Sequence, residues 1–110
     1  MKGDILGEFE EIVLLIIGVL GDDAYGLAIR EELERQTGRS SAIGAVHATL
    51  NRMEEKGYLE SKMTEATQDR GGRRKRVFTI TASGRRALLD SRDVRVNLWS
   101  QQPEFKMGDI

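Results

Sequence analysis

The sequence predicts a mainly α domain with a small β-hairpin, in the order helix, helix, helix, hairpin, helix. Three observations carry this. Residues 6–56 hold three segments with helical apolar spacing, each closed by a glycine: Gly21, Gly38 and Gly57. Residues 58–64 and 73–80 are short β-prone runs joined by a polar loop with paired glycines. Residues 82–101 return to helical spacing until Pro103, which forbids easy continuation.

The first helix is expected over residues 6–20. Ile5, Phe9, Ile12, Ile16 and Val19 follow one spacing, and Leu6, Val13, Ile17 and Leu20 another. A helix apolar nearly all round is buried on most sides. Glu8, Glu10 and Glu11 suit its dipole at the N-terminal end. Asp22 or Asp23 is expected to cap a second helix over 24–36, with Leu27, Ile29 and Leu33 as its apolar face and Gly38 beyond its end. Ser40 and Ser41 offer the cap of a third helix over 42–56. Its buried stripe is Ile43, Val46, Leu50 and Met53. The hairpin follows, with Leu59 and Met63 on one face of its first strand. Thr81 caps the last helix, whose apolar positions are Leu88, Leu89, Val96, Leu98 and Trp99. Residues 103–110 read as a flexible tail.

Composition bounds the function. At 110 residues the chain is one domain's worth, 39% apolar and 32% charged. It has no Cys and one His, which excludes a disulfide framework, a Cys nucleophile and a multi-histidine metal site. The expectation is no cofactor and no metal. The longest apolar run, residues 12–20, is far short of the ~20 residues that span a bilayer. The first eleven residues carry one Lys and four acids, the wrong charge for a secretory leader, so the chain reads as cytoplasmic with no membrane partner. No Ser-His-acid set and no phosphate loop is present, and the chain reads as a non-enzyme.

The net charge of −1 conceals a segregation. Residues 1–34 hold nine acids and two bases, whereas residues 70–86 hold seven bases and no acid. Fields act over about a Debye length, ~8 Å at physiological salt, so a local basic patch works on a nearly neutral chain. Arg70, Gly71, Gly72, Arg73, Arg74, Lys75 and Arg76 form a cationic hairpin tip. With its apolar stripe inward, the third helix turns Gly44, Ala45, His47, Ala48, Asn51 and Arg52 to solvent. The small residues let the backbone approach base edges, and Asn and Arg are types that pair with adenine and guanine. Ser40 and Ser41 lie at the helix N-terminus, which attracts phosphate. Three helices and a hairpin in this order are the winged helix-turn-helix plan.

The stretch 44–59, Gly-Ala-Val-His-Ala-Thr-Leu-Asn-Arg-Met-Glu-Glu-Lys-Gly-Tyr-Leu, resembles the PadR family of transcriptional regulators. So does 71–88, Gly-Gly-Arg-Arg-Lys-Arg-Val-Phe-Thr-Ile-Thr-Ala-Ser-Gly-Arg-Arg-Ala-Leu, which is similar to that family's wing and fourth-helix start. Tyr25-Gly26 matches the Tyr-Gly usual at the second helix. The resemblance covers about residues 6–89. His47 stands where the family usually has Tyr, at a position implied to lie at the DNA face, and Phe78 stands where the wing strand often has Tyr. The single last helix is like the family's short branch, which the resemblance implies dimerises through that helix and the first.

The expected organisation is a winged helix-turn-helix DNA-binding domain over 1–81, a C-terminal dimerisation helix over 82–102 and a tail over 103–110. The expected function is a sequence-specific, ligand-responsive repressor, a homodimer on double-stranded DNA at an inverted repeat. Residues 44–52 with Ser40 and Ser41 would read the major groove, and residues 70–76 with Tyr25 would hold the backbone. Leu6, Phe9, Leu89, Val96 and Trp99 are the candidates for a dimer or effector surface. Each has a plainer reading beside it: a solvated turn for the basic run, packing between helices for Tyr25, and exposed or ion-paired helix residues for Asn51 and Arg52. His47 either contacts DNA or bonds within the domain. Trp99 either packs in the dimer or stacks a small planar apolar effector. The rival function is a winged-helix protein–protein interaction module without DNA readout, with the acidic first third as its surface.

Overall fold

A computed structural model describes residues 5–65 and 74–103. Its elements are α1 (Glu8–Leu20), a 3-10 turn (Gly21–Asp23), α2 (Gly26–Thr37), α3 (Ile43–Glu55), β1 (Leu59–Met63), β2 (Arg76–Ile80) and α4 (Ala82–Ser100). The strands pair antiparallel, with Leu59 opposite Ile80, Ser61 opposite Phe78 and Met63 opposite Arg76. The expected order of elements is therefore found.

One core joins them. Val13, Leu14 and Ile17 of α1 meet Ile29 and Leu33 of α2, Val46, Leu50 and Met53 of α3, and Leu59 and Phe78 of the hairpin. Among the described residues no buried side-chain nitrogen or oxygen lacks a hydrogen-bond partner. Core burial and polar satisfaction agree, as a uniquely packed domain requires.

Several boundaries and faces differ from the sequence reading, each for a physical reason. The first helix starts at Glu8 behind the N-cap Gly7, whose N–H donates to Glu10 Oε1 at 3.2 Å. Leu6 stays outside the helix, and its N–H donates to the buried Ser91 Oγ of α4 at 3.2 Å. The second helix starts at Gly26, and Asp22 and Asp23 form the 3-10 turn without capping it. Ala24 and Tyr25 are held out of the helix by the hairpin: Phe78 N–H donates to the Ala24 carbonyl at 2.9 Å, and the extended Tyr25 bridges Val77. That pairing prevents the helix from beginning earlier. Neither Ser40 nor Ser41 caps α3; its N-cap is Ala42. Ile43, expected in the buried stripe, is exposed, and Thr49, which the stripe left out, is buried. Leu27 and Met63 are exposed, as are Leu15 and Val19 of α1, so α1 keeps one uncovered side. The elements that pack most closely on α1 are α2, β2, α4 and the 3-10 turn.

Gly57 ends α3 at φ +85°, a left-handed value that favours glycine. The same corner holds α4. Thr81 Oγ1 donates to the Gly57 carbonyl at 2.6 Å and accepts from Gly84 N–H at 3.0 Å, while Thr81 N–H donates to the Tyr58 carbonyl at 3.1 Å. The end of α3 and the start of α4 are thereby one joint.

Candidate nucleic-acid interface

The buried stripe of α3 fixes what its other side presents. With Val46, Thr49, Leu50 and Met53 inward, Gly44, Ala45, His47, Ala48, Asn51 and Arg52 are exposed. Gly44, Ala45 and Ala48 leave a low surface on the first two turns, where a duplex can come close to the helix backbone. Ser40 is exposed. Ser41 is half-buried, and its carbonyl accepts from Arg30 Nε of α2 at 2.9 Å, which pins the turn between α2 and α3.

His47 lies over the first residue of α2. A Cβ on Gly26 would come within 2.6 Å of its ring, so Gly26 is the residue that lets the ring sit there. Arg52 does not project freely. Its Nε donates to Glu10 Oε2 of α1 at 3.1 Å, and Lys56 Nζ donates to the same oxygen at 3.3 Å. Burial pushes the Glu10 carboxyl up, but the hydrogen bonds from Arg52, Gly7 and Lys56 outweigh it and hold the group below the usual carboxylate range. Glu10 is thus an ionised strut between α1 and the end of α3.

The wing begins beside this face. Arg70, Gly71, Gly72 and Arg73 lie outside the described residues. Arg74 is exposed. Lys75 Nζ stands 3.8 Å from the centroid of the half-buried Tyr25 ring, a cation–π contact at the wing root. Thr64 N–H donates to the Lys75 carbonyl at 2.7 Å, which continues the hairpin past its strands. Arg76 is turned to α3: its guanidinium donates to Asn51 Oδ1 at 3.3 Å, Ser61 Oγ at 3.0 Å and Glu54 Oε1. Two of the expected DNA-contacting arginines, Arg52 and Arg76, therefore have partners inside the chain.

The other candidate surface is on α4. Ser91 is buried where its Oγ accepts from Leu6 N–H ahead of α1, and Arg95 Nε donates to Glu11 Oε1 of α1 at 2.8 Å. Beyond Ser91 every residue of α4 is exposed. Leu89, Val94, Val96, Leu98 and Trp99 are all at least 40% exposed, as are Leu15 and Val19 of α1. Arg95, Leu98, Trp99 and Gln102 line a depression of about 290 Å³. Leu6 is 3% exposed and belongs to its own chain's core, so its side chain offers nothing to a partner. Phe9 is half-buried, with the Arg39 guanidinium 5.7 Å from its ring centroid.

The transcriptional regulator PadR-like family matches residues 13–90. The chain belongs to this family. Among solved structures it is similar to RosR of H. salinarum, at 25% identity and a TM-score of 0.62, over 90% of this chain and 82% of that one. A PadR family transcription regulator from Clostridium difficile R20291 is similar at 25% identity and a TM-score of 0.62, over 79% of this chain and 88% of the other. A PadR-like transcription factor from bacteroid fragilis shares the fold, with a TM-score of 0.67 at 20% identity over 82% of both chains. No curated protein matches.

The helices and hairpin of this PadR-like chain are thus those of a winged-helix, DNA-binding fold. Among the described residues no helix is long and apolar enough to cross a membrane. Sequence reasoning missed Glu10, Gly26, Arg30, Glu54 and Ser61, which hold the interface in shape. Tyr25-Gly26 was the one local signal, and the rest are ordinary polar residues until the fold brings them together.

Proposed function

We propose that this PadR-like chain is a sequence-specific repressor that acts as a homodimer on an inverted-repeat operator and responds to a ligand. The observation that carries the reading is the low, exposed face of α3 set beside a basic wing root. Gly44, Ala45, His47, Ala48 and Asn51 enter the major groove, with Ser40 and Ser41 near a phosphate. Arg70, Arg73, Arg74 and Lys75 hold the backbone, and Tyr25 supports Lys75. Arg52 and Arg76 set the shape of the surface more than they touch bases.

Apolar side chains uncovered on α1 and on the outer half of α4 support dimerisation, because exposed apolar surface on this scale marks a partner site. Two copies would place their α3 helices about one helical turn apart, ~34 Å. The depression beside Trp99 lies on that surface and suits a small planar apolar effector. The reaction is binding alone, with no cofactor, and the compartment is the cytoplasm.

The test is capture of sheared genomic DNA on the immobilised chain, followed by sequencing. Retained fragments sharing an inverted repeat support the reading. Retained DNA without a shared sequence refutes sequence-specific action. No retained DNA, together with a salt-insensitive complex with another protein, favours the interaction module. Replacing Arg73 and Arg74 by Ala should lower the slope of log affinity against log salt by about 0.9 per lost phosphate contact. An unchanged slope removes the wing from the interface.

A further inference from the structure

Arg76, Glu54 and Ser61 form a closed ring of hydrogen bonds between the wing and α3, and Arg76 extends it to Asn51. Arg76 Nε donates to Ser61 Oγ, Nη1 to Asn51 Oδ1, and Nη2 to Glu54 Oε1. Ser61 Oγ donates in turn to Glu54 Oε2 at 2.8 Å. The Arg76 guanidinium also lies 4.9 Å from the ring centroid of the buried Phe78, a cation–π contact.

This ring decides which way the Asn51 amide faces. A guanidinium carries donors only, so the group that meets it must be the amide oxygen. The Asn51 NH₂ is then left for whatever approaches the exposed face of α3. The pairing of asparagine with adenine uses both ends of the amide, accepting from N6 and donating to N7. The Asn51 oxygen keeps a second lone pair, but the guanidinium already bound to it sets a cation and its donors beside the adenine N6 donor, which disfavours that pairing. The amide matches instead an edge that presents acceptors, and guanine presents two, O6 and N7.

We propose that Arg76 is a positioning residue for sequence readout: it draws the Asn51 carbonyl to the wing, so that Asn51 reads guanine through its NH₂ in preference to adenine. This rests on the DNA-reading function proposed above. Lysine at position 76 would keep the charge but could not span three acceptors with a planar fork.

The experiment is selection of bound duplexes from a random-sequence pool by the full chain, in parallel for wild type, Asn51→Ala, Arg76→Lys and Arg76→Gln. Thermal melts and salt slopes accompany each. Asn51→Ala identifies the operator column that Asn51 reads, as the one that flattens. The expected wild-type column is guanine, preferred over adenine by roughly tenfold, the scale of a good base-edge contact. Arg76→Lys should move that column towards adenine, with the other columns and the salt slope unchanged. Arg76→Gln should do the same with a smaller salt slope.

An adenine column in the wild type, or a guanine column that Arg76→Lys leaves intact, overturns the proposal and leaves the DNA-binding reading standing. A uniform weakening of all columns by Arg76→Lys also overturns it, since that is the mark of a purely structural role. No enrichment of any sequence by the wild type overturns the DNA-reading function, and this proposal falls with it.

Discussion

The pairing of Arg52 with Glu10 can be tested against a role for Arg52 on DNA by a double-mutant cycle. The variants are Arg52→Ala, Glu10→Ala and both together. The Glu10 side chain is 12% exposed and the Arg52 side chain 50%, so the pair lies between two limits. Exposed pairs contribute about 0–1 kcal/mol, and breaking fully buried ones costs about 3–5 kcal/mol. The Arg52 side chain is half in solvent, which brings the expected coupling down to about 1 kcal/mol. Glu10→Ala should cost more than Arg52→Ala, because it also removes the Lys56 contact at 3.3 Å and the Gly7 cap at 3.2 Å. Roughly 2 kcal/mol against roughly 1 kcal/mol is the expectation, each such cap or charge-assisted bond contributing about 1 kcal/mol.

Thermal unfolding at one fixed protein concentration measures these costs, since 1 kcal/mol moves the Tm of a domain of this size by about 4–8 °C. The pH dependence gives a second reading of the same network. The Glu10 carboxyl is held below its ordinary value of 4.5 in the fold. A depressed acid stabilises the fold above its unfolded pKa, and that stabilisation is lost as the pH falls through the folded one. The Tm gap between wild type and Glu10→Ala should therefore be full at pH 7 and narrow progressively below 4.5. Additive single mutants would refute the reasoning. A gap that widens in acid would refute it as well, because Glu10 would then be favoured protonated. If instead Arg52→Ala leaves Tm unchanged and alters the selected DNA sequence, Arg52 works on bases.

Three further outcomes follow from single contacts. Gly84→Ala places a Cβ 2.3 Å from the Tyr58 carbonyl oxygen, a backbone atom that cannot turn aside, so it should destabilise by about 3 kcal/mol or prevent soluble expression; a melt within 2 °C of wild type would contradict this. Gly26→Ala meets only the His47 ring, which can rotate, and gains about 0.5–1 kcal/mol of helix propensity. It should melt at or above wild type yet bind operator DNA more weakly, and equal affinity would take His47 off the interface. Ser91→Ala strips the acceptor from the buried Leu6 N–H and should cost about 1–3 kcal/mol, measured by urea unfolding; no loss would mean that the segment before α1 is not tied to α4.

What was legible in the sequence follows the range of the interactions. The three helices, the hairpin and the Thr81 cap rest on apolar spacing, glycines and a hydroxyl within a few residues of one another, and those are read locally. The start of α2 was misplaced because a long-range partner decides it: the Ala24 carbonyl belongs to Phe78, and no local residue says so. The exposed face of α3 was legible because Val46, Leu50 and Met53 fix its phase. The partners of Arg52 and Arg76 were not, since Glu10 lies 42 residues from Arg52, and Glu54 and Asn51 lie 22 and 25 residues from Arg76. An arginine is the same letter whether it faces solvent, a carboxylate or a phosphate.

Those same partners bear on how a signal could travel. Glu10 ties α1 to the end of α3, Arg76 ties the wing to α3, and the joint of Gly57, Tyr58, Thr81 and Gly84 ties α3 to α4. A ligand at the outer end of α4 therefore has little scope to bend α3 relative to its own domain. What remains free in the proposed dimer is the orientation of one whole domain against the other, a rigid-body rotation. The 19 residues of α4 span about 28 Å at 1.5 Å per residue. A rotation of about 10° about its outer end would then displace the reading helix by roughly 5 Å, more than the ~3.4 Å rise of one base pair. An effector of this kind should release the operator without changing the sequence preference of a single half-site. Half-site selection with and without the bound compound separates the two: a changed preference would mean that the joint at Gly57 yields, and an unchanged one that the domain moves whole.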